Sequence, residues 1–298
     1  MADPPHGHAA APWSVVSAAS VIHSVLGENR IVRELRHVGA VDSTQDALRA
    51  LARAGAPAGT VLIADRQQAG RGRAGNRWDD DPSGGNLAVS LLVDVGAPPF
   101  DARSIPLVPH ALGLAVVDAA AVLGPDAAAL RLKWPNDVVD RPVSDQASRK
   151  LAGVLVERER LVGGSGERDV LLCGIGLNVD LGDAAPADRT DLASVLGERP
   201  DRALLLAALL MELDATLRAL ATPASLLDRY RGMSDTVGRS VRVQVPGEGA
   251  LVGVATGIDD GGRLLVTTDA RTHVILSGTV RDADRSDGLR SNVGADHE

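Results

Sequence analysis

The sequence predicts an α+β fold in which a mixed β-sheet with helices is followed by a small β-barrel. Between about residues 33 and 232, strand-like and helix-like segments alternate, and several consecutive strands follow one another without a helix between them. Strands joined in sequence, with helices grouped elsewhere, favour a mixed sheet over a purely parallel one. After Met233 the apolar residues alternate with period two, and PGEG and DDGG mark turns, which is typical of short antiparallel strands. The predicted organisation is an N-terminal extension (1–32), a main domain (33–232), a barrel (233–281) and a disordered tail (282–298).

The composition is that of a soluble protein with a substantial core. The chain of 298 residues carries 39 acidic and 31 basic side chains, for a net charge of −8, which argues against general nucleic-acid binding. A single cysteine excludes an intramolecular disulfide framework and a cysteine-rich metal site, and it suits a reducing compartment. The sequence shows neither a secretion signal nor a run long enough to span a membrane. We therefore expect a cytoplasmic protein that binds neither DNA nor a membrane.

In the first half of the chain, each element is predicted by its own local pattern. Residues 14–26 have one apolar face and predict a short helix, and no second helix fits before residue 33. RELRHVGAV is typical of a strand, and Asp42 or Ser43 can cap a helix over 45–54. The apolar strands TVLIAD (60–65) and NLAVSLLVD (86–94) flank a loop rich in glycine and arginine.

The second half continues with a buried helix, strands and two more helices. Residues 106–123 have the apolar spacing and alanine content of a buried helix. Three strands are predicted next, over 129–135, 150–159 and 169–179, and the first two are interpreted as a hairpin. Helices are then predicted over 201–220 and 225–231. About five short strands form the barrel, among them those over 239–245, 250–259 and 263–269.

The stretch GRGRAGNRW, Gly70 to Trp78, is the first candidate functional segment. It matches the dinucleotide-binding pattern G-x-G-x-x-G, but NRWDDDPSGGN follows it where that fold needs a helix. An RGG-type nucleic-acid segment would be more extensive than one loop. A loop that closes over a small anion fits better, because glycines let backbone N–H groups converge and arginines stay charged. A solvated surface turn is the remaining alternative.

Four other stretches carry polar groups at the ends of predicted elements. RLKWPNDVV places Lys133, Asn136 and Asp137 at one rim, where a cation, an amide and a carboxylate could bind phosphate and Mg²⁺. KLAGVLVE begins with Lys150 at the edge of a buried strand. GIGLNV interrupts an apolar strand with two glycines, which weakens the strand unless another group approaches its backbone closely. VDSTQ offers two hydroxyls at a helix start, for which helix capping is an alternative explanation.

Taken in order, five stretches resemble the biotin protein ligases, also called biotin–acetyl-CoA-carboxylase ligases. The stretches are VDSTQ, QQAGRGRAGNRW, LKWPNDV, KLAGVLVE and GIGLNV. The similarity runs from about residue 33 to about residue 280. It implies a mixed-sheet catalytic domain of the biotin/lipoate ligase type followed by an SH3-like barrel. The missing DNA-binding domain implies the monofunctional type rather than a ligase that is also a repressor.

The resemblance implies a two-step reaction that uses biotin, ATP and Mg²⁺. Biotin and ATP give biotinyl-5′-AMP and pyrophosphate, and the acyl group then passes to a lysine on a biotin carboxyl carrier domain of an acyl-CoA or pyruvate carboxylase. Cations and backbone dipoles would offset the repulsion where the biotin carboxylate meets the α-phosphate. Most of the catalytic work would be positioning.

The family pattern assigns roles to individual residues. Lys150 is expected to contact both the biotin carboxylate and the α-phosphate, and Arg73 to be catalytic with it. The residues expected to bind biotin are Ser43, Thr44, Gln45, Gln67, Gly70, Arg71, Gly72, Lys150, Gly153, Gly174 and Gly176. The residues expected to bind the nucleotide are Arg71, Arg73, Trp78, Lys133, Asn136 and Asn178, with Trp78 near the adenine. Asp137 is the expected Mg²⁺ ligand.

The sequence departs from the family pattern at three places. Gln45 stands where many members have asparagine, and Asn76 stands where an arginine is frequent, which leaves one cation fewer over the phosphates. The hairpin over residues 138–149 is longer than usual, and its tip is expected to be disordered.

Two rival functions belong to different classes. A lipoate or octanoate ligase or transferase could use the same fold, and Cys173 is the only cysteine that could serve as the nucleophile of an octanoyl transferase. Its apolar neighbours suggest that it is buried instead. A non-catalytic protein that binds biotin or nucleic acid would release no pyrophosphate.

Overall fold

The computed structural model describes residues 30–78, 85–96, 98–141, 148–163, 166–182, 185–269 and 271–283. The helix predicted over residues 14–26, most of the predicted tail and the tip of the 138–149 hairpin lie outside these ranges. Within them, the structure has the α+β architecture that the sequence predicts, with a seven-stranded sheet and a five-stranded sheet.

The elements are defined as follows. The helices are α1 (Thr44–Arg53), α2 (Val108–Leu123), α3 (Leu192–Leu196), α4 (Arg202–Ala219) and α5 (Pro223–Gly232). The strands of the first part are β1 (Glu34–Val41), β2 (Thr60–Gln67), β3 (Gly70–Arg71), β4 (Arg77–Trp78), β5 (Asn86–Asp94), β6 (Leu130–Lys133), β7 (Asp137–Asp140), β8 (Arg149–Gly163) and β9 (Gly166–Asn178). The strands of the last part are β10 (Ser240–Val245), β11 (Gly249–Ile258), β12 (Leu264–Thr267), β13 (Thr272–Ile275) and β14 (Thr279–Asp282).

The large sheet is mixed, as predicted. Its strand order is β1-β2-β5-β9-β8-β7-β6, in which β1 and β2 are parallel and every other pair is antiparallel. The predicted hairpin between residues 129–135 and 150–159 is wrong, because β7 lies between β6 and β8 and pairs with both. The short run Asp137–Asp140 directly follows the Pro-Asn turn, so its strand character is hidden behind turn residues.

The two faces of the large sheet are covered unequally. On one face, α2 packs over β6, β7 and β8 and lies beside α4, and the main apolar core is buried there. On the other face, Leu48 and Ala52 of α1 pack against Leu172 and Val170 at one end of β9. Side chains of a strand alternate between faces, so the next residues of β9 on the α1 side are Gly174 and Gly176. Helix α1 therefore leaves one end of this face open.

The C-terminal strands form the predicted five-stranded antiparallel sheet, with the order β13-β12-β11-β10-β14. It is attached to the larger sheet through Trp134, which is 2% exposed and donates its Nε1–H to the carbonyl of Gly262 over 2.9 Å. Gly262 lies in the β11–β12 turn with φ of +74°, and a Cβ there would lie 2.7 Å from His110 Cε1. The turn needs glycine for both reasons.

One segment, Ile105–Leu123, is long and apolar enough to cross a membrane, although no such run is predicted above from the sequence. It consists of a short 3₁₀ turn and α2. Of the most apolar 18-residue stretch in this segment, 67% is buried inside the protein, against the large sheet and α4. Its hydrophobicity is that of a core helix.

The buried His110 of α2 is expected to make stability depend on pH. Burial lowers its pKa to about 4, and the backbone of Gly262 and Pro106 offsets only part of this effect. In the unfolded chain the group titrates near its ordinary value of 6.5, so between pH 6.5 and 4 the unfolded state binds more protons. The free energy of unfolding therefore falls as the pH falls through this window, by on the order of 3 kcal/mol.

Urea denaturation of the wild type and of His110→Gln across the same pH range measures this contribution. Carboxylates also lose stabilisation in acid, so the informative quantity is the difference between the two proteins. We expect a flatter pH dependence in His110→Gln. Equal slopes would mean that His110 titrates normally in the folded state.

Candidate active site

The open end of the large sheet holds a cavity of about 550 Å³. Its floor is formed by β5, β8 and β9, one wall by the start of α1, the roof by the Gly70–Trp78 loop, and the rim by the β6–β7 turn and the C-terminal sheet. The sequence-predicted residues that line it are Ser43, Thr44, Gln45, Gln67, Arg71, Gly72, Arg73, Trp78, Lys133, Asn136, Asp137, Lys150, Gly153, Gly174 and Gly176. Segments far apart in the chain are thus brought together at one place.

The glycines of the floor are required by close contacts. A Cβ at Gly176 would lie 2.4 Å from Cε2 of the Trp78 indole, and a Cβ at Gly174 would lie 2.7 Å from Oε1 of Gln45. Distances below 3 Å cannot be accommodated without movement of the neighbour. The two glycines that weaken the GIGLNV strand therefore allow a ring and an amide to approach its backbone, as the sequence suggests.

A chain of hydrogen bonds with defined direction runs beneath the cavity. Gln45 Nε2 donates to the carbonyl of Leu172 over 2.8 Å, so its Oε1 is left as an acceptor. Ser90, which is fully buried, lies 3.2 Å from this oxygen and 2.9 Å from the Thr44 hydroxyl. Thr44 donates both its N–H and its hydroxyl to Oε1 of Gln67, over 2.9 and 3.1 Å. The floor thus presents a fixed set of polar groups inside a mostly apolar enclosure.

Lys150 sits between this floor and the rim. Its Nζ lies 2.7 Å from Oδ1 of Asp137 and 5.5 Å from the centre of a Trp78 ring. The chain contains only two lysines, Lys133 and Lys150, among its 31 basic residues, and both line the cavity. Cationic side chains elsewhere on the surface are arginines.

The backbone of Lys150 is held on both sides. Its N–H donates to the carbonyl of Asp188, and its carbonyl accepts from the N–H of Thr190 and from Nδ2 of Asn178. Asn178 is fully buried and does not line the cavity, contrary to the sequence prediction. Its Oδ1 has no hydrogen-bond partner among the described residues, and its amide connects the strand that carries Lys150 to residue 190.

Two of the three arginines of the loop, Arg71 and Arg73, point in different directions. Arg71 lies at the cavity wall, but its guanidinium is hydrogen-bonded to the carboxylates of Asp46, over 2.5 Å, and Glu157, over 2.7 Å. Arg73 reaches across the cavity and donates to Oδ1 of Asn136 over 3.0 Å. Burial lowers the pKa of Arg73, and the nearby charge of Asp137 opposes that shift. Arg73 therefore bonds to the turn at the rim of the cavity, whereas Arg71 fastens the loop to α1 and β8.

Three further residues lie in surroundings that the sequence did not predict. Trp78 is predicted near the adenine, but its ring packs on Gly153 and Gly176, glycines that the family pattern assigns to biotin. Gly70 does not line the cavity, because it pairs with Trp78 in the short β3–β4 ladder and lies under the loop. The Gln45 amide is bonded to strand carbonyls rather than left free for a ligand.

Sequence reasoning missed several residues of the lining. Ser90 had a detectable signal, since it is a polar residue inside the otherwise apolar strand NLAVSLLVD. The rim residues of the C-terminal sheet carry no local signal, because turns and strand ends of a small sheet look alike whether or not they face a cavity. They are Gln244, Pro246, Gly278, Thr279, Val280 and Arg281.

Two observations limit the chemistry of the site. Cys173 is 1% exposed, and burial raises the pKa of its thiol to about 12, so it cannot supply a thiolate nucleophile at neutral pH. Among the described residues, no group of three or more His, Cys, Asp or Glu side chains could hold a metal ion. Two carboxylates, Asp137 and Asp188, line the cavity.

Comparison with known proteins places this geometry in a family. Residues 38–178 match the Biotin/lipoate A/B protein ligase family, and residues 236–280 match the Biotin protein ligase C terminal domain. A Mycobacterium tuberculosis biotin–[acetyl-CoA-carboxylase] ligase is 35% identical over 88% of this chain and 93% of its own length. The biotin protein ligase from Aquifex aeolicus in complex with biotin and ATP is similar with a TM-score of 0.65 and 30% identity, covering 84% of this chain and 99% of that one. The chain thus belongs to the biotin protein ligase family.

Proposed function

We propose that the protein is an ATP-dependent ligase that activates biotin as biotinyl-5′-AMP and transfers it to a lysine of a biotin carboxyl carrier domain of acetyl-CoA carboxylase. The observation that carries the proposal is the position of Lys150 between a polar floor and two further cations, Arg73 of the roof and Lys133 of the rim. A carboxylate anchored from the floor and a phosphate anchored from the rim meet at this lysine.

In the first step, a biotin carboxylate oxygen attacks the α-phosphorus of ATP, and pyrophosphate leaves. Lys150 exchanges its contact with Asp137 for the two anions, which offsets their repulsion and stabilises the charge that develops between them. Arg73 supplies a second cation that remains charged at any working pH. The site then works chiefly by holding two substrates in reactive geometry.

The floor suits the ureido ring of biotin. A ureido group offers two N–H donors and one carbonyl acceptor, and the hydroxyls of Ser90 and Thr44 with the Gln67 amide offer complementary groups in a buried setting. Buried polar groups that are matched by a ligand favour it strongly over analogues that leave them unpaired. The Trp78 ring, packed on the floor glycines, gives apolar surface for the aliphatic tail.

The nucleotide is assigned to the rim. Lys133, Asn136 and Arg281 lie on that side of the cavity. Mg²⁺ is held in proteins by one or two carboxylates together with substrate phosphates, so Asp137 and Asp188 fit such an ion. When bound, Mg²⁺ would neutralise phosphate charge.

We further propose a catalytic domain over residues 33–232 and a C-terminal barrel over 233–281, with the carrier domain as the protein partner in the cytoplasm and no DNA partner. The family matches over 38–178 and 236–280 support this division. Contacts of Gln244 and Arg281 with the same cavity indicate that the two parts act together.

An assay with three acids tests the function. The protein is mixed with ATP, Mg²⁺ and either biotin, lipoate or octanoate, and both pyrophosphate release and acyl transfer to a carrier domain are measured. We expect turnover with biotin alone. Lipoate-dependent or octanoate-dependent turnover would support the related ligase or transferase activity instead, and the absence of turnover with all three acids would contradict an enzymatic role.

A further inference from the structure

A second cavity, of about 420 Å³, adjoins the active-site cavity. We call it the side pocket. Its walls come from the start of α2, the β6–β7 turn, the edge of β8 and the β11–β12 turn. The two cavities share Arg73, Trp134, Pro135, Asn136 and Val154, so they are neighbouring chambers of one space.

The partition between the chambers includes the side chains of Arg73 and Asn136, which are hydrogen-bonded to each other. Asn136 is fixed to β8, because its Nδ2 donates to the carbonyl of Val154 over 2.7 Å and its own carbonyl accepts from the N–H of that residue. Arg73 bonds to the remaining oxygen of this amide, over 3.0 Å, and belongs to the roof loop. On the far side of the partition stand Asp137 and Lys150, where the acyl-adenylate forms in the proposed function.

We propose that the side pocket is the port through which the acceptor lysine reaches the acyl-adenylate. This inference rests on the proposed function. Once biotin and ATP occupy the main cavity, the acceptor needs a separate route to the acyl carbon, and the side pocket leads there.

The chemistry of the walls fits a lysine side chain. Pro106, Pro109, Pro135, Val154 and Val156 give apolar surface for its four methylene groups. Apolar walls and the cation of Arg73 both favour the neutral amine over the ammonium ion, and only the neutral amine is a nucleophile.

The other ionisable groups near the port do not oppose the entry of a neutral lysine amine. The buried His110 is neutral at pH 7, since burial lowers its pKa to about 4. Arg263 at the mouth is already paired with the carboxylate of Asp259. Leu276, which is 75% exposed at the mouth, offers an apolar contact to the acceptor domain.

In the transfer step, the acyl group passes from AMP to the acceptor lysine. The lone pair of the lysine Nζ forms the new C–N bond to the acyl carbon, the C–O bond to AMP breaks with its electrons going to the phosphate oxygen, and one amine proton is lost to water. The products are the amide and AMP.

Narrowing the port tests the proposal, because it should impair transfer without impairing activation. We expect Val156→Phe and Leu276→Glu to lower kcat/KM for the carrier domain by about tenfold or more, through misplacement of the amine. Biotin-dependent pyrophosphate release should remain at the wild-type rate. Reaction of the adenylate with hydroxylamine, a nucleophile too small to need the port, should also be unchanged.

Matched variants control for general effects. Val162→Phe adds the same ring to the same strand at a position 76% exposed, and Val254→Glu adds the same charge to the C-terminal sheet outside the port. Both should behave as wild type. If Leu276→Glu and Val156→Phe transferred biotin to the carrier domain with the wild-type kcat/KM, the proposed port would be refuted. If Val156→Phe fails to fold, Leu276→Glu decides alone, because that side chain is exposed. Absence of pyrophosphate release from the wild type would instead refute the proposed function.

Discussion

Lys150→Ala is expected to reduce biotin-dependent pyrophosphate release by about 10²- to 10³-fold, the usual cost of removing a preorganised group that stabilises developing charge. The side chain is part-exposed at the cavity, and its one ion-pair partner among the described residues is Asp137. Its removal leaves the meeting point of carboxylate and α-phosphate without its central cation. The rate is measured with saturating biotin and ATP, and thermal unfolding of the same samples reports the folded state.

Arg149→Ala is the matched control for this variant. Arg149 precedes Lys150 on β8 and pairs with Asp140 over 2.6 Å, but it does not line the cavity. We expect its pyrophosphate release to match that of the wild type. A wild-type rate for Lys150→Ala would show that another cation joins the two anions, and Lys133 would then be the residue to test.

Trp134→Ala is expected to destabilise the protein by about 3–5 kcal/mol, as for other large buried aromatic side chains. The indole is 2% exposed, and its Nε1–H bonds to Gly262 in the turn of the C-terminal sheet. The variant loses core packing and leaves that carbonyl without its donor. Urea denaturation followed by far-UV circular dichroism measures the change, since the substitution removes a fluorophore.

Trp134→Phe separates the two contributions. It keeps much of the apolar volume and loses the N–H, so its destabilisation should be clearly smaller than that of the alanine variant. If both variants lost less than about 1 kcal/mol, Trp134 would not connect the two sheets in the way its burial indicates.

The parts of the site that short sequence motifs encode were predictable. VDSTQ predicts hydroxyls at a helix start, KLAG predicts a lysine at a strand edge, and GIGLNV predicts glycines inside an apolar strand. In the structure all three lie around one cavity. These patterns are local, because the backbone geometry that each needs is set within a few residues.

Side-chain direction was not predictable from the loop sequence. Arg71 turns toward Asp46 and Glu157, which become its neighbours only when α1 and β8 lie side by side. Trp78 lies on Gly176 because the pairing of β3 with β4 aims it at the floor of the sheet. Both side chains end on residues outside the loop, Asp46 and Glu157 for Arg71 and Gly176 for Trp78, and these partners cannot be read from GRGRAGNRW. The hairpin predicted between residues 129–135 and 150–159 is wrong for another reason, since the four-residue strand β7 that separates them has too few residues to show periodicity.

The placement of the two lysines has a consequence for a protein that makes a reactive acyl donor. Biotinyl-adenylate acylates free amines, and both lysines of this chain line the cavity that we propose as the site of its formation. The outer surface carries its positive charge on arginines, whose guanidinium groups stay protonated and are poor nucleophiles. Adenylate that escapes from the cavity therefore meets no lysine side chain on the outside of the protein that released it. The use of arginine in place of lysine across the surface leaves the enzyme resistant to labelling itself.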